Sequence, residues 1–165
     1  IPDARGQVND IRFFSQSSKL VYDEPVDVET VAKYAADEFQ HYTQYAGVRP
    51  MGVALIIGGV DNNGNALFLV DPSGTYVEYN AVAIGANSDI VTEFLKKEYK
   101  PDFTIDEGIV LAIAAIYLAS EIKKGTKHIK ISQIRSDTKQ FEIITDEHLT
   151  KLAQSTAEKY PTEHK

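Results

Sequence analysis

The 165 residues include no cysteine. That removes disulfides, thiolate metal sites and cysteine nucleophiles together, and it fits a reducing compartment and a cytoplasmic location. Long apolar runs are also missing. The longest, Ile109 to Ala119, has eleven residues, against the roughly 20 that a spanning helix needs. It reads as a buried core helix, and no membrane partner is expected. There is no block of lysine and arginine either. Acidic residues number 24 against 17 basic ones, for a formal net charge of −7, so nucleic acid is not an expected partner. No signal-peptide pattern opens the chain. It starts Ile1-Pro2-Asp3, and its one methionine is Met51. Translation begins at methionine, so the expectation is a processed chain or a part of something longer.

What remains is globular in character: 43% apolar and 25% charged residues, enough for one domain spanning residues 1–165 with a real core. "PDARGQVNDIRFFSQSSKL" reads as a helix that Gly6 weakens, with Pro2 in its first turn. "VETVAKYAADEFQHYTQY" is a stronger one. Val28, Val31, Ala32, Ala35, Phe39 and Tyr42 make one apolar stripe, Asp27 stands at the N-cap, and Gly47 follows the end.

After Arg49-Pro50 the periodicity changes. "MGVALIIGGV" is apolar on both faces, as in a strand covered on both sides. "DNNGN" is a hairpin turn, "ALFLV" the return strand, "DPSG" a type I turn, and "TYVEYNAVAIG" a third strand. Helices resume with "NSDIVTEFLKKEY". Next comes "TIDEGIVLAIAAIYLASEIKKG", which opens on the capping box Thr104-x-x-Glu107 and closes on Lys123, Lys124 and Gly125. "HIKISQIR" and "QFEIIT" alternate as two strands around a turn at Ser136-Asp137. "DEHLTKLAQSTAEKY" is a last helix with the stripe Leu149, Leu152, Ala153 and Thr156, and "PTEHK" is a frayed tail. Helix pairs segregated from antiparallel strands define an α+β fold, with a four-layer α-β-β-α sandwich as the expected architecture.

Chemistry is sparse. Gly58-Gly59 lacks the Gly-Lys-Ser/Thr and following helix of a phosphate loop, and glycines within a strand more often permit a bulge or a close backbone approach. Asp61, Asn63 and Asn65 have the spacing of a calcium loop, but Ala66 and Pro72 stand where it needs Gly and Glu. His41, His128, His148 and His164 form no ligand pair and no nucleophile motif. No carboxylate pair presents itself as acid and base. No catalytic residue, cofactor or metal site is therefore assigned. Tyr42 and Tyr45, at a helix end, suit either amphipathic packing or a subunit contact.

"YTQYAGVRPMGVALIIGGVD", "LFLVDPSGTYVEYNAVAIG" and "FLKKEY" occur in this order and spacing. On these motifs the chain resembles the α-type subunit of the 20S proteasome, most closely the archaeal form, over nearly its whole length from "DAR" at 3–5. The resemblance implies the sandwich of N-terminal-nucleophile hydrolases, here incomplete at the N-terminus. It also implies a noncatalytic subunit of a threonine-type endopeptidase complex in ATP-linked protein degradation. Such subunits form an outer heptameric ring that gates substrate entry, supports assembly and docks a regulatory ATPase or other activator. The implied partners are other α subunits in the ring and β subunits below it.

The alternative is a catalytic threonine peptidase of the β type, which uses a Thr at its own processed terminus; position 1 here is Ile. Gating and activator-pocket residues belong to a region upstream of "DAR", so none can be assigned. Arg5-Gly6-Gln7 makes the first helix softer than the family pattern. Expected subunit-contact residues are Asp3, Arg5, Tyr42, Gln44, Tyr45 and Arg49. Without the upstream strands, sheet edges and the apolar face of Val53, Leu55 and Ile57, or the face of their alternates, would stand open. Another segment, another chain or an oligomer is expected to cover them.

Overall fold

The computed structural model describes residues 2–120 and 125–161. They divide into two compact units, residues 1–80 and 81–165, described separately below. Position 1, Lys123, Lys124 and the tail from 162, with His164, lie outside the described residues.

In the first unit, α1 (Pro2–Tyr22) and α2 (Val28–Gln44) precede β1 (Leu55–Val60), β2 (Asn65–Val70) and β3 (Tyr76–Glu78). Gly6 does not interrupt α1. Asp27 caps α2 as expected: its Oδ1 accepts from the Thr30 amide at 2.8 Å. The cap also draws in the Thr30 hydroxyl, and these bonds hold the Asp27 carboxyl below its usual range. Asp61 adds a second tie that the sequence did not announce. Its Oδ2 accepts from the Val28 amide at 2.9 Å, so the turn after β1 grips the first turn of α2, where the dipole favours an anion.

The three strands form an antiparallel meander in the order β1-β2-β3. Leu55 faces Val70, Ile57 faces Phe68 and Val70 faces Tyr76. Residues of opposed pairs share a face, so these side chains all point one way. They meet Val28, Ala32, Ala35, Ala36 and Phe39 of α2 in one apolar cluster. The small alanines bring the helix axis close to the sheet. Gly59 serves the same approach, since a Cβ there would fall 2.7 Å from Val28 Cγ2. The close approach expected of these strand glycines is thus observed. Phe14 stacks on Tyr34 to join α1 to α2, ring centroids 4.1 Å apart.

Two expectations need correction. β1 is covered on one face only among the described residues: Leu55, Ile57 and Val53 pack against α2, whereas Ile56 and Val77, on the other face, are 41% and 46% exposed. The third strand is also shorter than "TYVEYNAVAIG". Its pairing ends at Glu78, and one further ladder bond runs from the Tyr79 amide to the Leu67 carbonyl. Beyond it the chain turns, with left-handed Gly85 and Asn87, and Ala81 and Ala83 pack, partly buried, against a helical cluster.

The second unit contains α3 (Ser88–Glu98), α4 (Ile105–Ala119), β4 (Ser132–Ile134), β5 (Phe141–Ile143) and α5 (Asp146–Lys159). The capping box on α4 is complete. Thr104 Oγ1 accepts from the Glu107 amide, and the Glu107 carboxylate accepts from the Thr104 amide. α4 is apolar nearly all round because two layers use it. Leu111 and Ala115 meet Val91 and Leu95 of α3, while Ile109, Val110, Ile113 and Tyr117 meet Leu149, Leu152 and Ala153 of α5. Its described end comes at Ala119, where Ser120 caps it. The α5 stripe of Leu149, Leu152, Ala153 and Thr156 is buried as expected. β4 and β5 are three-residue strands, shorter than the alternating pattern. Their outer face leaves Phe141 and Ile143 65% and 70% exposed. The α+β class stands on this content of helices and small antiparallel sheets.

Candidate subunit-contact site

The residues expected to make subunit contacts all lie in the first unit. α1 presents Asp3 in its first turn, and the end of α2 presents Tyr42, Gln44 and Tyr45. A left-handed Gly47 (φ 88°) then turns the chain into Val48-Arg49-Pro50. Residues 43–50 form an unbroken exposed run.

Asp3 and Arg49 meet each other. The guanidinium donates through Nη1 and Nη2 to the two carboxylate oxygens at 2.7 and 2.8 Å. This fork-to-fork geometry fixes orientation as well as charge. Asp3 Oδ2 also accepts from the Gly52 amide at 3.1 Å, and Arg49 Nη1 reaches the Pro50 carbonyl. The Arg49 hydrogen bond, then the Gly52 amide, lowers the Asp3 pKa from 3.8 to about 2, and the same pair raises that of Arg49. The Asp3 side chain is 15% exposed and that of Arg49 70%. The pair therefore pins the 49–52 segment to the start of α1 and still offers one guanidinium edge to solvent.

The remaining candidates are not drawn into this cluster. Arg5 is exposed on α1 and joins no ion pair among the described residues. Tyr42 is half-buried on α2. Gln44 donates to the neighbouring Thr43 hydroxyl at 3.3 Å. Tyr45 is 57% exposed, its ring against His41 with centroids 4.2 Å apart. Together Tyr45, Val48 and Arg49 give the corner an apolar, aromatic and cationic surface of the kind enriched at protein interfaces.

The Gly52 amide and the pairing of Asp3 with Arg49 escaped the sequence reading, because the partners stand 46 positions apart and no spacing rule links them. Gly74 was legible only as a turn glycine. In the structure it sits at φ +88° with its Cα against α2, and an added Cβ would fall 2.8 Å from the backbone nitrogen and Cα of Gln40. The "DPSG" turn, closed by the Gly74 amide to the Asp71 carbonyl at 2.9 Å, thereby supports the last turns of the helix that carries the corner. Of the histidines, His148 bonds Asp106 at 3.1 Å. His41 and His128 are exposed.

The proteasome subunit family model matches residues 1–134. The chain is 40% identical to "Proteasome subunit alpha" of Methanosarcina barkeri over 166 aligned residues, covering 100% of this chain and 67% of that protein. It is 42% identical to the protein of the same name from Methanocaldococcus jannaschii over 92% of this chain and 58% of the relative. With that of Archaeoglobus fulgidus the identity is 40% over 90% of this chain and 60% of the relative. The chain belongs to the proteasome subunit family, and its likeness within it is to archaeal α-type subunits. It spans about 60% of the length of the Archaeoglobus protein. No helix among the described residues is long and apolar enough to cross a membrane.

Proposed function

We propose that this chain acts as a noncatalytic α-type subunit of the proteasome core particle, part of the outer heptameric ring that gates substrate entry in cytoplasmic, ATP-linked protein degradation. The observation that carries the reading is the likeness to proteins named proteasome subunit alpha, which runs through every element of the chain rather than through one motif. Its partners in this reading are neighbouring α subunits, β subunits and a regulatory ATPase or other activator. The corner built by Tyr42, Gln44, Tyr45 and Arg49 is the proposed lateral contact. Asp3 acts there by holding Arg49 in place, and Arg5 lies on the adjoining helix. The complete α-β-β-α sandwich belongs to the same proposal. It is supported by the fact that each sheet leaves an apolar face open, at Ile56 and Val77 in one and at Phe141 and Ile143 in the other. The single domain over 1–165 is proposed with it.

The test is assembly. Co-expressed with an archaeal β-type subunit, the protein is expected in seven-fold rings by electron microscopy, and alone it is expected to leave fluorogenic peptides intact. Replacing Tyr45 and Arg49 together by alanine should release the protein from the rings. Rings unaffected by that replacement would remove the corner from the proposal, and peptide hydrolysis by the chain alone would favour the β-type threonine peptidase reading, which the α-type relatives do not support.

A further inference from the structure

The turn "DNNGN" lacks the pattern of a phosphate loop or a calcium loop, yet its chemistry is not inert. Asn63 is the one asparagine of the sequence that precedes a glycine; the others precede Asp10, Asn63, Ala66, Ala81 and Ser88. In the structure Asn63 and Gly64 are both exposed at the tip of the β1–β2 hairpin. Gly64 sits at φ +119°, a backbone region that side chains other than hydrogen rarely enter. Nothing stands within 4 Å of where its Cβ would be. Neither a side chain at position 64 nor a neighbour around it hinders attack by the Gly64 nitrogen on the Asn63 carboxamide. The contrast with Asn87 is direct: its Nδ2 donates to the Ala119 carbonyl at 2.7 Å, which holds the carboxamide away from the chain that follows. Asn9 lies in α1 and Asn65 in a paired strand.

We propose that Asn63 is a site of spontaneous deamidation, and that the isoaspartate formed there loosens the grip of the hairpin on the first turn of α2. The Gly64 nitrogen gives up its proton to solvent and attacks Asn63 Cγ. The new N–Cγ bond closes a five-membered succinimide as the Cγ–Nδ2 bond breaks, and the nitrogen leaves as ammonia. Water then opens the ring. Cleavage of N–Cγ yields aspartate. Cleavage at the main-chain carbonyl yields isoaspartate, whose backbone runs through Cβ and Cγ and is one carbon longer.

The consequence follows from Asp61. One of its carboxylate oxygens accepts from the Asn63 amide at 2.7 Å, and the other accepts from the Val28 amide at 2.9 Å. The Asp61 amide in turn donates to the Gly64 carbonyl at 3.0 Å. Lengthening the backbone between Asn63 and Gly64, and adding a carboxylate beside Asp61, disturbs all three bonds. The Val28 amide then loses its acceptor.

The purified protein, held at mildly alkaline pH and mapped by peptide mass spectrometry, provides the test. The peptide containing Asn63 should gain the mass of an NH2-to-OH exchange before any other asparagine peptide. Enzymatic methylation of isoaspartyl carboxyls should label the same peptide and should not label an Asn63→Ser variant. In the converted fraction, hydrogen exchange at Val28 should lose its protection. An intact Asn63 amide while Asn80 or Asn87 converts would overturn the site. Conversion with Val28 protection unchanged would overturn its link to α2. The wild-type time course alone decides the site if the variant does not fold.

Discussion

The two units solve the problem of a core in different ways. In residues 1–80 one helix lies on a three-stranded sheet, and the fit depends on what is absent from the contact: Ala32, Ala35 and Ala36 have short side chains, and Gly59 and Gly74 have none. In residues 81–165 the core is one apolar helix wedged between two others, with large side chains such as Ile113, Leu149 and Tyr117 filling the space. Its ends are held by local caps, at Thr104 with Glu107 and at Thr145. The contact of α2 with the sheet in the first unit therefore tolerates additions poorly, while removal of a large buried side chain is costly in both units. The corner proposed as a contact sits at the end of α2, the helix that Gly74 approaches closely.

The largest expected effects test the cores directly. Phe39→Ala, at a fully buried position in the first unit, should cost about 3–5 kcal/mol and Ile113→Ala in the second about 2–5 kcal/mol. Urea unfolding measures both, and hydrogen exchange in α2 and in α4 shows where protection is lost. Gly74→Ala should cost about 2–4 kcal/mol, since the added methyl meets α2 backbone at a left-handed position. A loss under 1 kcal/mol would show that the turn yields and would weaken the contrast between the units.

Asn87→Ala removes the Ala119 tie and leaves a left-handed alanine at φ 60°. It is expected to cost about 1–2 kcal/mol in thermal unfolding. The opposite sign is expected at Gly6, exposed in α1 with open space around it: Gly6→Ala should stabilise by about 0.5–1 kcal/mol. The smallest effect is the one that pH controls. The folded-state pKa of Asp3 is depressed from 3.8 to about 2. Its contribution is therefore present above the unfolded-state pKa and is lost as pH falls through the folded-state value. The difference in urea midpoint between the protein and Asp3→Asn should be constant above pH 3.8 and close as pH falls toward 2. A difference that persists unchanged through this range would show that the carboxylate charge is not what the corner uses.

Much of the chain was legible because its signals are local. Asp27 and Thr104 announce helix starts through bonds to residues three positions on. "DPSG" announces its turn through the Asp71–Gly74 bond, and the α5 stripe its buried face. The stretch "TYVEYNAVAIG" was misread for the opposite reason. Its alternation suits a strand, but Ala81 and Ala83 pack, partly buried, against a cluster of helical residues, and the tertiary contact overrides the pattern. The run "MGVALIIGGV" is apolar at positions of both parities, so composition could not say which face of β1 meets α2. At the corner, the residue types were readable and their partners were not.

The starts of helices and turns, the α+β class and the likeness to α-type proteasome subunits are written in short stretches of the chain, because caps, turn residues and periodicity act between neighbours a few positions apart. Folding of the whole chain was needed to join Asp3 to Arg49 and Gly52 and Asp61 to Val28, and to make Gly59 and Gly74 the spaces for α2. Those choices depend on which distant surfaces close on one another, and the free energy of that closure is a property of the packed chain rather than of any short stretch in it.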